Sequence, residues 1–189
     1  MRILLVDDES LIRMDLRDQL EALGHTIIGE AEHGARGLEL VRETRPDVVL
    51  MDVKMPVLDG IEAARQMQHL GIAPVVLLTA YSQAELVERA QESGVYGYLI
   101  KPLREIELEP TLKMAVGRFQ KEQERVQTIE RLEEQIEEQK LSAKAVAILA
   151  ELKGLSEGAA YEVVRKYSMD HKITIVETCQ RIIRSYKKK

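Results

Sequence analysis

Short apolar runs alternate with amphipathic stretches over the first 116 residues. Runs of β-branched and aliphatic residues, which are typical of buried strands, lie at 3–6, 26–29, 47–51, 75–78 and 96–100. Elsewhere apolar residues recur every three or four positions, and this spacing predicts helices at 10–23, 35–44, 60–70, 82–93 and 103–119. The strict alternation of strand and helix predicts an α/β fold, a doubly wound five-stranded parallel sheet.

The pattern changes near Phe119. From there to residue 139 the chain is rich in Glu, Gln, Lys and Arg and contains no Gly or Pro, which is typical of a solvent-bridging helix or a short coiled coil. The last 50 residues predict a small three-helix domain, with Ser156 as an N-cap and helices at 143–152, 160–167 and 173–186. We therefore divide the chain into an α/β domain at 1–116, a helical linker at 117–139 and a three-helix domain at 140–189.

The composition excludes several classes of protein. Hydrophobic residues make up 45% and charged residues 31% of the 189 residues, which is ordinary for a folded chain. The single cysteine, Cys179, excludes an intramolecular disulfide, and the four scattered histidines form no zinc-binding pattern. The apolar run at 3–6 is too short for a signal peptide, and no run reaches the roughly 18 apolar residues of a membrane span. We therefore expect a cytoplasmic protein.

The net charge of −5 is unevenly distributed. Residues 1–116 carry 12 basic against 20 acidic residues, whereas residues 140–189 carry 11 basic against 5 acidic residues. The acidic part suits a metal ion or phosphate chemistry, and the basic part suits a polyanion. The simpler explanation of the basic part is a solvated helical surface.

Polar residues follow four of the predicted strands. Asp7 and Asp8 come after the first strand, Asp52 after the third, Thr79 after the fourth and Lys101 after the fifth. Because function collects at the carboxyl ends of the strands of an open parallel sheet, we expect these side chains to converge. Clustered carboxylates repel each other unless a cation lies among them, and carboxylate oxygens suit Mg²⁺. Singly these residues are typical of caps, turns and surfaces, but together they predict phosphoryl chemistry.

Four motifs then resemble the receiver domain of two-component systems, a flavodoxin-like fold. They are Val6-Asp7-Asp8-Glu9, Met51-Asp52-Val53-Lys54-Met55-Pro56-Val57-Leu58-Asp59-Gly60, Leu78-Thr79-Ala80 and Tyr98-Leu99-Ile100-Lys101-Pro102. The resemblance implies that Asp52 accepts a phosphoryl group from a histidine kinase. It also implies a Mg²⁺ site made by the carboxylates of Asp7, Asp8 and Asp52 and the backbone carbonyl of Lys54.

The same resemblance assigns three further roles. Lys101 would pair with the phosphoryl oxygens and precede a cis bond to Pro102, and Thr79 and Tyr98 would form a switch pair in which the ring follows the hydroxyl inward. A receiver catalyses only its own phosphorylation and dephosphorylation. The resemblance therefore implies a switch and not a metabolic enzyme, with the output carried by the C-terminal part.

Residues 135–183 resemble the ANTAR module, a three-helix RNA-binding domain of transcription antiterminators. The matching residues are Lys140, Lys144-Ala145, Ile148-Leu149, Leu155-Ser156, Ala160-Tyr161, Val164-Arg165, Tyr167-Ser168-Met169 and Ile182-Ile183. The whole chain resembles response-regulator antiterminators of the ethanolamine-utilisation type. The resemblance implies binding of RNA hairpins in a leader transcript and a homodimer when the protein is phosphorylated. The candidates for phosphate contacts are Lys140, Lys144, Arg165, Lys166 and Lys172.

The resemblance to the ANTAR module has two departures. Ala145-Val146-Ala147 stands where the family usually has Ala-Lys-Gly, so a basic contact and a close-packing glycine are absent. Cys179 stands where the family usually has Ala, and we expect it to be a small buried residue and not a reactive thiol. Tyr161 and Tyr167 are candidates for stacking on unpaired bases, although half-buried core tyrosines are the more frequent case.

We therefore predict a response regulator that is phosphorylated on Asp52 and controls RNA binding and transcription antitermination. Two alternatives stay open. The first is a DNA-binding response regulator, for which the predicted helix at 173–186 is the only candidate recognition helix. The second is a protein-binding signalling adaptor that contacts no nucleic acid, and the changes at Val146 and Ala147 favour it.

Overall fold

The computed structural model describes residues 1–80 and 94–186. The chain divides into two compact units, Met1–Glu124 and Arg125–Lys189. The predicted helix at 82–93 lies outside the described residues. Among the described residues, no helix combines the length and the apolar character that crossing a membrane requires.

The first unit is built on a five-stranded parallel sheet, as the alternation of elements predicts. The strands follow the spatial order β2-β1-β3-β4-β5, and every neighbouring pair is parallel. The order reverses at β1 and β3, which is the switch point where ligands bind in doubly wound folds. The strands are β1 Arg2–Val6, β2 Thr26–Ala31, β3 Val48–Asp52, β4 Val75–Thr79 and β5 Gly97–Ile100.

Both faces of the sheet are covered by helices. Successive residues of a strand point to opposite faces, so alternate strand residues join two separate cores, one with Leu4 and Met51 and the other with Leu5 and Leu50. β3 and β4 are buried along their whole length, which explains why they are almost uninterrupted apolar runs. Each large aliphatic side chain buried in this way contributes about 1.5–3 kcal/mol to stability.

Three helices of the first unit follow the first three strands. They are α1 Ser10–Ala22, α2 Gly34–Thr44 and α3 Gly60–Leu70. The Asp59 carboxylate caps α3 by accepting the Glu62 backbone N–H at 2.8 Å. At the start of α3, a Cβ atom added to Gly60 would lie 1.9 Å from the backbone oxygen of Asp52. The loop that follows β3 therefore closes only because residue 60 has no side chain.

The next helix, α4, runs from Glu105 to Lys153. It unites the predicted helix at 103–119, the linker at 117–139 and the predicted helix at 143–152, which the sequence pattern treats as separate segments. The physical reason is the absence of a breaker: residues 118–153 contain neither Gly nor Pro. Gly154, with a φ of +63°, follows the last helical residue.

The second unit packs the end of α4 against two shorter helices, α5 Glu157–His171 and α6 Ile175–Tyr186. The predicted cap Ser156 is confirmed, because its hydroxyl accepts the Ala159 N–H at 3.3 Å. A buried hydrogen bond of 2.7 Å joins the hydroxyls of Ser168 on α5 and Thr178 on α6. The small core consists of Ala145, Val146, Ile148, Leu149, Ala160, Val164, Cys179 and Ile183.

Candidate functional site

Two carboxylates and an ammonium group meet at the carboxyl edge of the sheet. Lys101 Nζ lies 2.7 Å from Asp7 Oδ2 and 2.6 Å from Asp52 Oδ1. β1 and β3 are paired neighbours, with Val6 opposite Met51. The next residue along each chain segment, Asp7 after Val6 and Asp52 after Met51, therefore lies beside the other. Lys101 reaches them from the end of β5, 94 residues after Asp7 along the chain. The convergence predicted for these three residues is therefore observed.

The four carboxylate oxygens of this cluster are all hydrogen-bonded. Lys101 supplies one hydrogen bond to each aspartate, and the backbone supplies the others. The Glu9 N–H donates to Asp7 Oδ1 at 2.9 Å, and the Lys54 N–H donates to Asp52 Oδ2 at 2.8 Å. The two carboxylates are almost inaccessible, with 1% of Asp7 and 7% of Asp52 exposed. Because each carboxylate oxygen accepts a hydrogen bond, the two charged groups can be buried.

The cluster carries more negative than positive charge. Burial raises the pKa of Asp52, and the nearby Asp7 carboxylate raises it further, while the hydrogen bond and charge of Lys101 act in the opposite direction. Burial acts to lower the pKa of Lys101, but its hydrogen bonds and charge interactions with Asp52 and Asp7 outweigh this effect and raise it. One ammonium against two carboxylates leaves a partly buried site that favours a further cation.

A cavity of about 360 Å³ opens beside the cluster. A water molecule takes up about 30 Å³ in the liquid, so the cavity has room for a phosphoryl group and several waters. Its lining includes Asp8, which is exposed, and the buried end of β4. Residues from the ends of four of the five strands line it: Asp8, Glu9, Asp52, Val53, Lys54, Thr79, Ala80 and Lys101.

The donor groups suit a small hard cation. Among the described residues, no three His, Cys, Asp or Glu side chains are gathered into a preformed metal cage. Mg²⁺ needs no such cage, because it binds through one or two carboxylates and keeps several waters. Asp8 and Asp52 both line the cavity, and Asp7 is bonded to the same Lys101 as Asp52. The chemistry of this donor set therefore fits Mg²⁺.

The predicted switch residues occupy the last two strands. Thr79 ends β4 and is 8% exposed, and its carbonyl oxygen accepts the Lys101 N–H at 2.7 Å. Tyr98 lies in β5 opposite Leu77, with 46% of the residue exposed. The Lys101–Pro102 peptide bond is cis, as the resemblance implied. Tyr98 thus lies partly exposed, outside the buried core.

The predicted RNA contacts lie on the surface of the second unit. Lys140 and Lys144 are exposed on α4, Arg165 and Lys166 on α5, and Lys172 follows α5. Among the described residues, this set makes two ion pairs, Lys140–Glu137 and Arg165–Glu162, and both are long at 3.6 Å and exposed. Exposed pairs of this kind are weak, so they leave both cations able to bind a phosphate.

Two residues of the module prove to be parts of its core. Val146 is buried at 8% exposure and packs in the three-helix core, whereas Ala147 is exposed. Val146 therefore contributes apolar packing to the core. The sequence alone shows only that the lysine usual in the family is absent at this position. Cys179 is fully buried, as expected, and burial raises the pKa of its thiol.

A groove between α4, α5 and α6 was not among the predictions. Its lining includes two cations, Lys153 and Arg181, that are absent from the five RNA candidates, together with the rings of Tyr167 and Tyr186. The sequence carries a partial signal, because Leu149, Leu152 and Lys153 are spaced to share one helical face. The groove closes only where three helices cross, and the sequence of a single helix does not predict that crossing.

Comparison with known proteins agrees with this geometry. The family model for the response regulator receiver domain matches residues 3–113, and that for the ANTAR domain matches residues 130–183. The chain belongs to the response regulators. It joins a receiver domain to an ANTAR domain and acts in RNA-binding antitermination. Both domains are regulatory: a receiver implies a phosphodonor kinase, and an ANTAR domain implies RNA binding.

Similar proteins extend over both domains. The transcriptional regulatory protein PdtaR of Mycobacterium tuberculosis is 39% identical over 182 residues, which cover 96% of this chain and 89% of that protein. The transcriptional regulatory protein YdfI of Bacillus subtilis is 35% identical over 84% of this chain and 78% of its own length. Among solved structures, the signal receiver domain of a modulated diguanylate cyclase from Desulfovibrio desulfuricans G20 matches with a TM-score of 0.59 and 30% identity, covering 64% of this chain and 97% of that one.

Proposed function

We propose that Asp52 is the phosphorylated residue of this response regulator and that its phosphorylation controls RNA binding by residues 140–189. The observation that carries the proposal is the Lys101 ammonium, held 2.7 Å from Asp7 and 2.6 Å from Asp52 beside an open cavity. A positive charge fixed next to a nucleophilic carboxylate is what phosphoryl transfer requires, because negative charge accumulates on the transferred oxygens.

The transfer is a displacement at phosphorus. A carboxylate oxygen of Asp52 forms the new P–O bond while the P–N bond of a kinase phosphohistidine breaks. The imidazole leaves as a neutral ring and keeps the proton that its other nitrogen already carries. Both Asp52 oxygens already accept hydrogen bonds, from Lys101 Nζ and the Lys54 N–H. Acyl-phosphate formation therefore releases one of these contacts. We assign this exchange to Lys101, whose ammonium turns from Asp52 Oδ1 to a phosphoryl oxygen.

Asp7, Asp8 and Asp52, with the backbone carbonyl of Lys54, would hold Mg²⁺ at this edge. When bound, the ion supplies positive charge to the phosphoryl oxygens. The surplus negative charge of the cluster supports this assignment. Lys101 and Thr79 orient the donor, because both line the cavity that the phosphoryl group enters.

The switch follows from the two strands that flank the cavity. Thr79 lines the cavity, and its carbonyl oxygen accepts a hydrogen bond from the Lys101 N–H. A new hydrogen bond between the Thr79 hydroxyl and the phosphoryl group therefore moves the end of β4. Tyr98, now exposed, follows inward on β5. The surface of the last strands thus differs between the resting and the phosphorylated protein.

The output is RNA binding by the second unit. Phosphates of hairpins in a leader transcript would be bound by the exposed set Lys140, Lys144, Arg165, Lys166 and Lys172. Val126, Ile129, Leu132 and Ile136 are each about half exposed along α4, which supports a homodimer through this stripe after phosphorylation. We place this activity in the cytoplasm, with domain limits of 1–116, 117–139 and 140–189.

Radiolabelled acetyl phosphate tests the first half of the proposal. We expect Mg²⁺-dependent labelling of the wild-type protein, no labelling of Asp52→Ala and wild-type labelling of Asp18→Ala, in which an exposed aspartate of α1 is removed. Labelling of Asp52→Ala at the wild-type level would show that the site is misassigned. Loss of labelling in EDTA is the expected metal dependence.

Gel shifts test the second half. The full chain is mixed with hairpin RNA and with duplex DNA of equal phosphate number, at two salt concentrations, with and without beryllofluoride and Mg²⁺. Salt-sensitive binding of RNA that increases with beryllofluoride is the expected result. Binding to DNA alone would favour α6 as a recognition helix, and binding to neither would favour a protein partner.

A further inference from the structure

Arg13 on α1 connects the loop after β1 to the end of the neighbouring strand β2. Its guanidinium donates one hydrogen bond from Nη1 to the backbone oxygen of Asp7 and another from Nε to Glu30 Oε2, at 3.2 Å. A helical side chain points back toward the N-terminus of its helix, which brings a residue of the first turn over the loop that precedes α1. Only 17% of the Arg13 side chain is exposed. The guanidinium is therefore held between two elements that meet beside the cluster of Asp7, Asp52 and Lys101.

The backbone of Asp7 is fixed at both of its polar groups. Its N–H donates to the backbone oxygen of Ala31, the last residue of β2, at 3.1 Å, and its carbonyl oxygen accepts the hydrogen bond from Arg13. The Asp7 carbonyl and the Asp8 N–H belong to one peptide group, and peptide groups are planar. Fixing this carbonyl therefore fixes the orientation in which the chain continues into Asp8.

The Asp8 carboxylate depends on this backbone for its position. The Asp7 carboxylate is held by Lys101 and by the Glu9 N–H, but among the described residues no hydrogen bond or ion pair holds the carboxylate of Asp8. Asp8 is exposed and lines the cavity beside the cluster. A ligand that no side chain holds is oriented by its backbone alone. The contacts of that backbone therefore determine how much order is lost or gained when the ligand binds an ion.

Glu30 balances the charge that Arg13 brings toward the site. A guanidinium bonded to the Asp7 carbonyl would by itself repel an approaching cation. One Glu30 carboxylate oxygen pairs with Arg13, and the other pairs with Arg17, which lies four residues further along α1 on the same face. Arg17 is the more exposed of the two arginines, at 47%, and among the described residues it makes no hydrogen bond to Asp7. The two arginines thus share one carboxylate but differ in their contact with the site.

We propose that Arg13, aligned by Glu30, is a positioning residue that holds Asp7 and Asp8 in the backbone conformation that binds Mg²⁺. The inference rests on the proposed Mg²⁺ site and adds a residue that prepares this site from outside the set of ligands. Residues that orient metal ligands without contacting the ion typically change metal affinity by about 10- to 100-fold when they are removed. The same range is expected here.

Calorimetric titration of the full-length protein with MgCl₂ measures this affinity without any phosphorylation. We expect Arg13→Met, which keeps most of the length of the side chain but donates no hydrogen bond, to raise the Kd for Mg²⁺ about tenfold or more. Arg13→Lys keeps the charge and loses the planar fork that reaches two partners, so its Kd should lie between those of the wild type and Arg13→Met. Circular dichroism checks that both variants keep their helix content.

Arg17→Met is the matched control. It removes a cation from the same face of α1 and from the same Glu30 carboxylate, but it removes no hydrogen bond to Asp7. We expect it to change the Kd for Mg²⁺ by less than about twofold, as for the loss of a surface ion pair. Equal values of Kd in Arg13→Met and Arg17→Met would overturn the proposal.

Glu30→Gln tests the balance of charge. The glutamine oxygen can still accept the Arg13 hydrogen bond, but the guanidinium loses its counter-charge. We expect weaker Mg²⁺ binding than in the wild type at low salt and a smaller difference at about 0.5 M KCl, where charge interactions are screened. An affinity equal to that of the wild type at both salt concentrations would contradict the role of Glu30.

The Mg²⁺ dependence of labelling by acetyl phosphate separates positioning from a purely structural role. Arg13→Met should need about tenfold more Mg²⁺ for half of its maximal rate and should approach the wild-type rate at saturating Mg²⁺, because Asp52 and Lys101 are unchanged. A lower free energy of unfolding in EDTA with an unchanged Mg²⁺ requirement would show a structural role and overturn the proposal. Absence of Mg²⁺ binding in the wild type would refute the metal site itself, whereas binding that Arg13→Met leaves intact would refute only the role of Arg13.

Discussion

The two units of this protein handle charge in opposite ways. In the receiver unit three ionised side chains are gathered in one buried cluster, and every carboxylate oxygen has a fixed partner. In the ANTAR unit the candidate cations are exposed and distributed over α4, α5 and the residue after α5. A buried, fully bonded charge cluster is sensitive to any single change, whereas a distributed surface loses affinity in small steps. The sensitivity of each unit to mutation should therefore differ by orders of magnitude.

The largest effect is expected for Lys101→Met. This change leaves Asp7 and Asp52 facing each other without their cation, so we expect phosphorylation by acetyl phosphate to slow roughly 100- to 1,000-fold. The free energy of unfolding should also fall by about 3 kcal/mol in EDTA, because a buried ion pair has lost one partner. Urea unfolding and labelling rates measure the two effects.

Lys113→Met is the control for this variant. Lys113 makes an exposed pair with Glu109 at 2.8 Å on α4. Its loss should change the free energy of unfolding by less than about 0.5 kcal/mol. If the two lysine variants behaved alike, the distinction between a concentrated and a distributed arrangement of charge would fail.

A smaller effect is expected for Tyr96→Phe, which changes the receiver unit away from its charge cluster. The Tyr96 hydroxyl donates to Glu122 at 2.8 Å, and its ring meets Phe119 edge to face with centroids 5.4 Å apart. The substitution removes the hydrogen bond and keeps the ring contact. We expect a loss of about 1 kcal/mol in the free energy of unfolding and an unchanged labelling rate.

The same tyrosine predicts a dependence on pH. Burial raises the pKa of Tyr96, and the Glu122 carboxylate raises it further. A raised pKa in the folded state means that this contribution to stability is complete below the ordinary tyrosine pKa of about 10 and is lost as the pH rises above it. Unfolding in urea at about pH 8 and about pH 11 should therefore show a steeper loss for the wild type than for Tyr96→Phe.

The smallest effect is expected for Lys144→Gln in the ANTAR unit. Removal of one phosphate contact from a distributed set should weaken RNA binding a few-fold and reduce the slope of log K against log salt by about 0.7–0.9. Lys121→Gln, an exposed lysine in the receiver part of α4, should leave the slope unchanged. A complete loss of binding in Lys144→Gln would mean that the RNA surface is as concentrated as the phosphorylation site.

The sequence was sufficient for the sheet and for the cluster at its edge, because each is specified locally. A strand buried on both faces must be apolar throughout, so polar residues such as Asp52 and Thr79 mark its end. The convergence of Asp7 and Asp52 then follows from the parallel pairing of β1 with β3, and the long Lys101 side chain reaches both carboxylates from the end of β5. The roles of these residues stay predictions until labelling is measured.

Two features were beyond the reach of periodicity. α4 is continuous because no helix-breaking residue separates segments whose apolar residues lie on different faces. The spacing of apolar residues follows one face at a time, so it predicts separate helices. The burial of Val146 and the groove beside Tyr167 depend on how three helices cross, which is fixed by packing between elements distant in the chain. The spacing of residues within one helix does not predict how that helix crosses the others.

The contact at Gly60 has a consequence for how this protein can vary through evolution. Even the smallest side chain at residue 60 would meet the backbone oxygen of Asp52, whereas a methyl group added at Gly117 or Gly158 would meet no atom of the described residues within 4 Å. Lineages descending from this chain can therefore exchange Gly117 and Gly158 freely for alanine, but position 60 is closed to them for as long as the loop beside Asp52 keeps its shape.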